Sequence, residues 1–213
     1  MKQKTETTKN KILDITLQLL NEKGLSNVKM RDVSKQLNIS IGNLTYHYSK
    51  WENLMDDIFS LFQTDVNKLY AYFPKDITEV VEYIEKIYEV QIRYAFLFSN
   101  FYIFFQQFPK YKTVEEDFFQ SRMQIMRASL DKLIDKNYLY PAGCEHNYDL
   151  LVKNTWLVLS GWYGFSMIFK NTVYAISKEE FFLSIWNMYI YHLTEEGKKL
   201  VKASYSKYIA KQK

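Results

Sequence analysis

Polar side chains that could recognise another molecule are concentrated in residues 37–48. An amide, a phenol and an imidazole lie within five residues of one another, at Asn43, Tyr46 and His47. With about 100° of rotation per residue, all three fall on one face of a helix that begins after Ser40. Such groups suit the base edges and phosphates of a nucleic acid. The spacing therefore favours a recognition helix, with an ordinary solvated helix face as the alternative.

The opposite face of this segment supplies an apolar anchor. Ile41, Leu44 and Tyr48 are spaced three and four residues apart, so we expect them to pack together. Before them, Asn38 tolerates a left-handed turn, and the hydroxyl of Ser40 can cap the helix. The segment is therefore predicted to form a tight turn followed by a short amphipathic helix.

Two more helices are predicted upstream. One apolar stripe begins at Ile12 and stops at Gly24, a residue that favours the left-handed conformation after a helix. A second stripe runs from Met30 to Leu37. We therefore expect three helices over residues 7–48, and the last two would form a helix-turn-helix.

Charge and aromatic residues divide the chain near residue 50. Residues 1–50 carry nine Lys or Arg against four Asp or Glu, a net +5, whereas the whole chain is +4. Of its 37 Phe, Trp and Tyr residues, only Tyr46 and Tyr48 precede residue 51. Excess positive charge at one end fits phosphate neutralisation, although solubility alone could also explain it. We therefore predict a small basic domain over residues 1–50 and a large aromatic one over 51–213.

The large region is also expected to be helical, which makes the fold all-α. Its apolar residues recur three and four apart, and six glycines and three prolines in the whole chain leave few turns. The expected helices cover residues 54–73, 78–98, 100–108, 113–136, 145–171 and 178–208, the last with a break near Gly197.

Composition gives no indication of a membrane protein. The longest uncharged runs here, 15 and 16 residues at 94–108 and 154–169, are shorter than the roughly 20 residues that a spanning helix needs. The amino terminus has no signal-peptide pattern. A single cysteine, Cys144, can form no internal disulfide. A cytoplasmic protein without membrane contact is expected.

Catalytic and metal-binding patterns are weak. The three histidines, His47, His146 and His192, are scattered along the chain. Cys144 and Glu145 lie too close to His146 in sequence to build a tetrahedral metal site or a nucleophile-base pair. There is no glycine-rich phosphate loop. We therefore expect no enzyme activity, metal or cofactor.

The residues of the amino-terminal region resemble a known family. The runs Met30-Arg31-Asp32-Val33-Ser34, 38–48 and Glu52-Asn53-Leu54 are similar to the DNA-binding domain of tetracycline-repressor (TetR) family regulators, over about residues 8–58. The resemblance implies these DNA contacts: Lys29, Arg31, Ser40, Asn43, Thr45, Tyr46, His47 and Lys50.

Within that set, we expect Asn43 and Tyr46 to contact base edges. We expect Lys29, His47 and Lys50 to contact phosphates. Four positions depart from the family, and two of them, Asn38 for a glycine and Ser34 for an alanine, are sterically reasonable. Thr45 stands where a tyrosine is common, which shifts the expected phenol contact to Tyr46. Trp51 stands where a lysine usually opens the fourth helix.

For the large domain, the resemblance implies a homodimer and an effector pocket. We therefore expect a repressor that binds a palindromic double-stranded DNA operator and is released by an effector, and the aromatic residues of 94–108 favour a small apolar or aromatic one. A transcriptional activator and a non-DNA protein-interaction module are the alternatives. Two apolar segments suggest a dimer interface, with the candidates Trp162, Phe165, Phe182, Trp186 and Tyr189. The aromatic run 94–108 suggests a pocket, although its rings could equally be core, with the candidates Arg93, Tyr94, Phe98, Phe101, Phe105 and Trp156.

Overall fold

The computed structural model describes residues 8–99 and 101–212, which form eleven α-helices and no strand. The all-α expectation is confirmed. The first four helices are α1 (Thr8–Lys23), α2 (Met30–Gln36), α3 (Ile41–His47) and α4 (Trp51–Ala71). The others are α5 (Val80–Arg93), α6 (Ala95–Ser99), α7 (Phe101–Gln107), α8 (Pro109–Asp135), α9 (Tyr148–Phe169), α10 (Lys178–Tyr189) and α11 (Glu195–Gln212). Residues 1–7, which contribute to the basic charge, and Asn100, the expected start of a helix, lie outside the described residues.

Local capping explains several helix boundaries. Pro109 is at the start of α8, where its missing N–H costs no hydrogen bond. The side chain of Asn147 accepts from the backbone N–H of Leu150 and caps α9. At α10, the hydroxyl of Ser177 and the carboxylate of Glu180 form a reciprocal capping box.

Two long helices of the prediction are interrupted. The helix expected over 78–98 begins with a 3₁₀ turn at Ile77–Glu79 and breaks at Tyr94, between α5 and α6. The helix expected over 178–208 breaks after the 3₁₀ turn Ile190–His192, near Gly197 as expected. Gly197 lies inside α11, where an added Cβ would collide with the carbonyl of Tyr138. Close packing therefore requires this glycine, and the break has a different origin.

Packing continues across the composition boundary at residue 50. A first core joins α1–α4 to α6, α7 and the start of α8, and its fully buried side chains include Leu44, Leu54 and Tyr94. A second core joins α5 to α8–α11 around residues such as Tyr148 and Phe181. The helix α4 therefore shares one core with the helix-turn-helix. The division into domains at residue 50 stays a prediction.

No helix among the described residues is both long enough and apolar enough to span a bilayer.

Candidate DNA-binding surface and apolar cavity

The turn between α2 and α3 has the predicted backbone conformation and the predicted helix cap. Asn38 has φ 54°, in the left-handed region, and the Ser40 hydroxyl accepts from the backbone N–H of Asn43 at 3.1 Å. The hydroxyl of Ser40 is thus used as a helix cap. Gly24 also has a positive φ of 80°, but its ψ of 159° is not that of the expected left-handed helical turn.

The outer face of α3 is open to solvent. Tyr46 is 87% exposed, and Asn43 and Thr45 are exposed beside it. The ring of His47 contacts that of Tyr46 edge to face, with the centroids 5.3 Å apart. The hydroxyl of Thr45 donates to the backbone carbonyl of Gly42 at 3.0 Å, so it is already engaged. The amide of Asn43 and the phenol of Tyr46 are the recognition groups most open to solvent on this face.

The packing face of α3 is narrower than expected. Leu44 and Tyr48 are buried, but Ile41 is 44% exposed, so its assignment to the packing face was wrong. The exposed Ile41 adds an apolar group next to the polar ones, a feature that periodicity alone did not distinguish.

The basic residues predicted to contact DNA are exposed, and they lie before and after α3 in the sequence. Lys29 and Arg31 lie at the start of α2, where the backbone N–H of Lys29 donates to the Asp32 carboxylate at 2.9 Å. Lys50 immediately precedes α4. Trp51, by contrast, is half-buried and packs against the first core. Trp51 therefore contributes apolar packing at the position where the resemblance would predict a lysine.

Tyr48 attaches the end of α3 to its neighbours. Its buried phenol donates to the Asp57 carboxylate of α4 at 2.9 Å. Lys9 of α1 pairs with the same carboxylate at 2.7 Å and lies 5.3 Å from the centre of the Tyr48 ring. Burial and the adjacent Asp57 raise the pKa of Tyr48 above its usual value. Sequence reasoning identified Tyr48 as a packing residue but missed Asp57, because helix periodicity does not show tertiary partners.

Polar contacts at two places join α4 to α8. Near the start of α4, Asp56 accepts from the phenol of Tyr111 and pairs with Lys110, each at 2.5 Å. One to two turns later, the amide of Gln63 donates to the buried Glu115 carboxylate at 2.6 Å. The helix that follows the recognition helix is thus attached to α8 at two points.

An apolar cavity of about 130 Å³ lies between α4, α5, α6, α8, α9, α10 and α11. Its walls include two predicted ligand residues, Phe98 and Trp156. They also include Trp186 and Tyr189, which were predicted for the dimer interface. These two side chains point into the protomer, since α10 packs against α5 and α9.

The other predicted ligand residues do not line this cavity. Arg93 forms an ion pair with Asp65 at 2.8 Å, and the phenol of Tyr94 donates to the same carboxylate at 2.8 Å. Phe101 and Phe105 pack against the first core. These four assignments stay predictions, and the aromatic run mainly fills the junction of α4, α6 and α7.

Polar groups are few in the cavity wall. Arg122 is the charged side chain among the residues that line it. The hydroxyls of Thr155 and Tyr189 are 2.9 Å apart. Burial raises the pKa of Tyr70 to about 12, so its phenol is neutral at physiological pH. The cavity therefore suits an apolar guest that forms few hydrogen bonds.

Residues 51–201 match the family model described as a bacterial transcriptional repressor of the TetR type, and residues 12–58 match that of bacterial regulatory proteins of the tetR family. The chain belongs to the TetR family. Family members are transcriptional regulators, which agrees with the expectation that the protein is not an enzyme.

Individual relatives of this TetR family member are distant. It is 26% identical over 87 residues to the HTH-type transcriptional regulator AcrR of Shigella flexneri, a match covering 39% of this chain and 40% of that protein. It is similar in fold to a TetR-family regulator from Marinobacter aquaeolei VT8, with a TM-score of 0.79, 21% identity and coverage of 94% of this chain and 98% of the other. A TetR regulator from Haloarcula marismortui has a TM-score of 0.61, 13% identity and coverage of 87% and 98%. The match thus spans less than half of the curated relative, and these structures show the fold alone.

The residues predicted for the dimer interface are not all exposed on the surface of the protomer. Trp162 and Phe182 are buried inside the protomer, where the Trp162 indole donates to Gln91 and stacks on Tyr88. A buried side chain has no free surface for a partner, so these two assignments are corrected. Phe165 alone of the five predicted interface residues is exposed.

A histidine pair was missed by sequence reasoning. The Nδ1 atoms of His146 and His192 are 3.1 Å apart, although 46 residues separate them. Burial and the neighbouring His146 lower the pKa of His192. The described part of the chain holds no group of three or more side chains that could bind a metal ion. The pair is a contact between the loop before α9 and the turn before α11.

Proposed function

We propose that the protein is a homodimeric repressor that binds a palindromic DNA operator and is released from it by a small apolar effector. The observation that carries this proposal is α3, which presents Asn43 and Tyr46 to solvent from a buried base. A capped helix held by Leu44 and Tyr48 can enter a major groove without losing its geometry. The proposed site of action is cytoplasmic DNA.

The proposed DNA contacts divide into two classes. Asn43 can pair bidentately with adenine, and Tyr46 is extended enough to contact a base edge or the backbone. Lys29, Arg31 and Lys50 are exposed cations suited to phosphates. The remaining members of the set are Ser40, Thr45 and His47, and the two hydroxyls among them already bond within α3.

A second copy of this chain is the proposed partner of α9. Leu157 is 67% exposed and Ile168 is 76% exposed, and Phe165 is exposed between them on the same helix. Leu183 on the neighbouring α10 is also exposed. Such a row of apolar residues is costly in water, and two copies could bury it in an isologous four-helix contact.

The proposed response to effector uses the cavity and α4. Phe62 and Val66 of α4 line the cavity, and Asp57 on the same helix holds Tyr48. A guest that moves α4 would therefore move α3 and change the separation of the two recognition helices in a dimer. Half-sites about 34 to 36 Å apart could then not both be engaged.

Selection of bound duplexes from random DNA tests the proposal. We expect a palindromic consensus whose half-sites are about one helical turn apart. Affinity for the consensus should fall steeply with salt because phosphate contacts release counterions. A non-palindromic consensus would contradict the dimeric arrangement, whereas no enriched sequence, or binding that is insensitive to salt, would contradict the proposal and favour a protein-interaction module.

A further inference from the structure

One donor in the wall of the cavity lacks a partner. Arg122 of α8 lines the cavity with its side chain 2% exposed. Its Nη1 donates to Glu115 at 2.6 Å and its Nη2 to Gln63 at 2.9 Å. The Nε–H is buried and has no acceptor among the described residues. An unmade hydrogen bond from a buried charged group is costly, so an acceptor at this position would be strongly favoured.

The guanidinium is held rigidly by its surroundings. The ring centres of Tyr70 and Phe118 lie 5.5 Å and 5.4 Å from its central carbon. With both terminal nitrogens engaged as well, Arg122 cannot easily turn its Nε towards another protein group. The free donor therefore keeps a fixed position beside the cavity but has almost no exposed surface, so a guest must displace a neighbouring side chain of the wall to reach it.

Charge balance limits the kind of acceptor. Glu115, the ion-pair partner of Arg122, is itself buried, so the pair carries no net charge. The other residues that line the cavity are uncharged apart from Arg122. An anionic guest would bring a further buried charge without a counter-ion, which is unfavourable. A neutral oxygen, such as that of a ketone or an ester, satisfies the Nε–H without this penalty.

The size of the cavity limits the guest further. Its 130 Å³ is close to the roughly 150 Å³ of an engineered apolar cavity that accepts benzene. Drug-sized ligands occupy about 300 Å³ or more. The cavity therefore matches a guest of about one ring with a short substituent.

We propose that the effector is a small, neutral, largely apolar molecule with one hydrogen-bond acceptor, which binds in this cavity and accepts from the Nε–H of Arg122. This inference rests on the proposed function, since it gives the chemical class of the effector. It assigns recognition of the polar atom to Arg122 and of the apolar part to residues such as Leu159 and Ile185.

Calorimetric titration of the full chain with three compounds of similar shape tests the proposal. Acetophenone offers a neutral acceptor, ethylbenzene offers none, and benzoate is an anion. We expect acetophenone to bind about tenfold more tightly than ethylbenzene, as a hydrogen bond to a charged donor implies, and benzoate to bind most weakly. Equal affinities for acetophenone and ethylbenzene, tightest binding of benzoate, or no binding by any of them would overturn the proposal.

Two variants separate the donor from the cavity. Arg122→Lys keeps the charge beside Glu115 but removes the Nε–H, so the ratio of the two affinities should fall towards one. The control Ile87→Val changes the cavity wall without touching Arg122, so the ratio should persist. A ratio that survives Arg122→Lys would contradict the assignment.

If Arg122→Lys does not fold, NMR of the unaltered chain tests whether the guest accepts a hydrogen bond from the Arg122 Nε–H. The chain has four arginines, Arg31, Arg93, Arg122 and Arg127, so a ¹⁵N spectrum contains few Nε–H signals. Acetophenone should shift one signal strongly, whereas ethylbenzene should leave it nearly unchanged. Bound acetophenone that shifts no Nε–H signal would overturn the proposal.

Fluorescence anisotropy measures release of the selected operator. It distinguishes failure of the ligand assignment from failure of the proposed function. If the affinity ratio is one but acetophenone still releases DNA, the acceptor assignment fails and the proposed function stands. If acetophenone binds with the expected ratio but leaves operator binding unchanged, the effector response fails and the ligand assignment stands.

Discussion

The phenol of Tyr48 donates a hydrogen bond to Asp57 across the junction between α3 and α4, at 2.9 Å. Because α4 continues from this contact to the cavity wall at Phe62 and Val66, one rigid helix touches both the DNA-facing helix and the proposed effector site. This hydrogen bond is one of the contacts that join the DNA-facing helix to the rest of the molecule.

Removal of this contact should loosen α3. Tyr48→Phe deletes the hydroxyl alone, and we expect a loss of about 1 kcal/mol in the free energy of unfolding together with weaker operator binding. Chemical denaturation and anisotropy measure the two effects. Tyr174→Phe, at an exposed residue, is the matched control. In a double-mutant cycle with Asp57→Asn, strictly additive effects would show that the bond contributes nothing.

Base contacts and phosphate contacts should respond differently to mutation. Asn43→Ala should reduce affinity for the consensus by about 1–3 kcal/mol and relax specificity at one base pair. Lys50→Ala should weaken binding to all sequences and reduce the salt slope by about one. Anisotropy titrations on consensus and scrambled duplexes over a salt series measure both. Equal loss on the two duplexes for Asn43→Ala would disprove its role at a base.

A charge on the free face of α9 should prevent dimerisation. Leu157→Glu would have to bury a carboxylate in an apolar contact, so we expect a monomer at micromolar concentration and loss of palindrome binding. Light scattering gives the mass. Val114→Glu, at another exposed apolar position on α8, should remain a dimer. If Leu157→Glu were also dimeric, the partner surface would lie elsewhere.

The histidine pair should make stability depend on pH. The pKa of His192 is lower in the folded protein than its ordinary value near 6.5, so the folded state binds fewer protons than the unfolded state. Its contribution to stability is complete above about pH 6.5 and is lost as the pH falls below that value. We expect Tm to drop between pH 7.5 and 5.5, and to drop less in His192→Asn. An identical pH response in the two proteins would exclude His192 as the cause.

The glycine of α11 should tolerate no side chain. In Gly197→Ala, the new methyl group would meet the backbone carbonyl of Tyr138, and we expect a loss of about 1–3 kcal/mol in the free energy of unfolding. Gly143→Ala is the control, because that glycine has nothing within 4 Å of its Cβ position. Denaturant titrations compare them. A neutral Gly197→Ala would show that the α11 contact is looser than described.

Local chemistry explains what the sequence determined by itself. The left-handed turn at Asn38 and the cap at Ser40 need only neighbouring backbone atoms, so residue type and position were sufficient to predict them. The burial of Leu44 and the exposure of Asn43 and Tyr46 also followed from short-range spacing, whereas the TetR resemblance rested on residue types in the runs 30–34, 38–48 and 52–54.

The choice of buried face required the tertiary structure. In α9 and α10 apolar residues occur nearly all round the helix, so periodicity could not tell that Trp162 faces the core and Leu157 faces solvent. The cavity wall, the Gln63–Arg122 hydrogen bond and the His146–His192 contact join residues far apart in the chain. Such contacts depend on how helices pack against one another, and helix spacing within one segment carries no information about its distant partners.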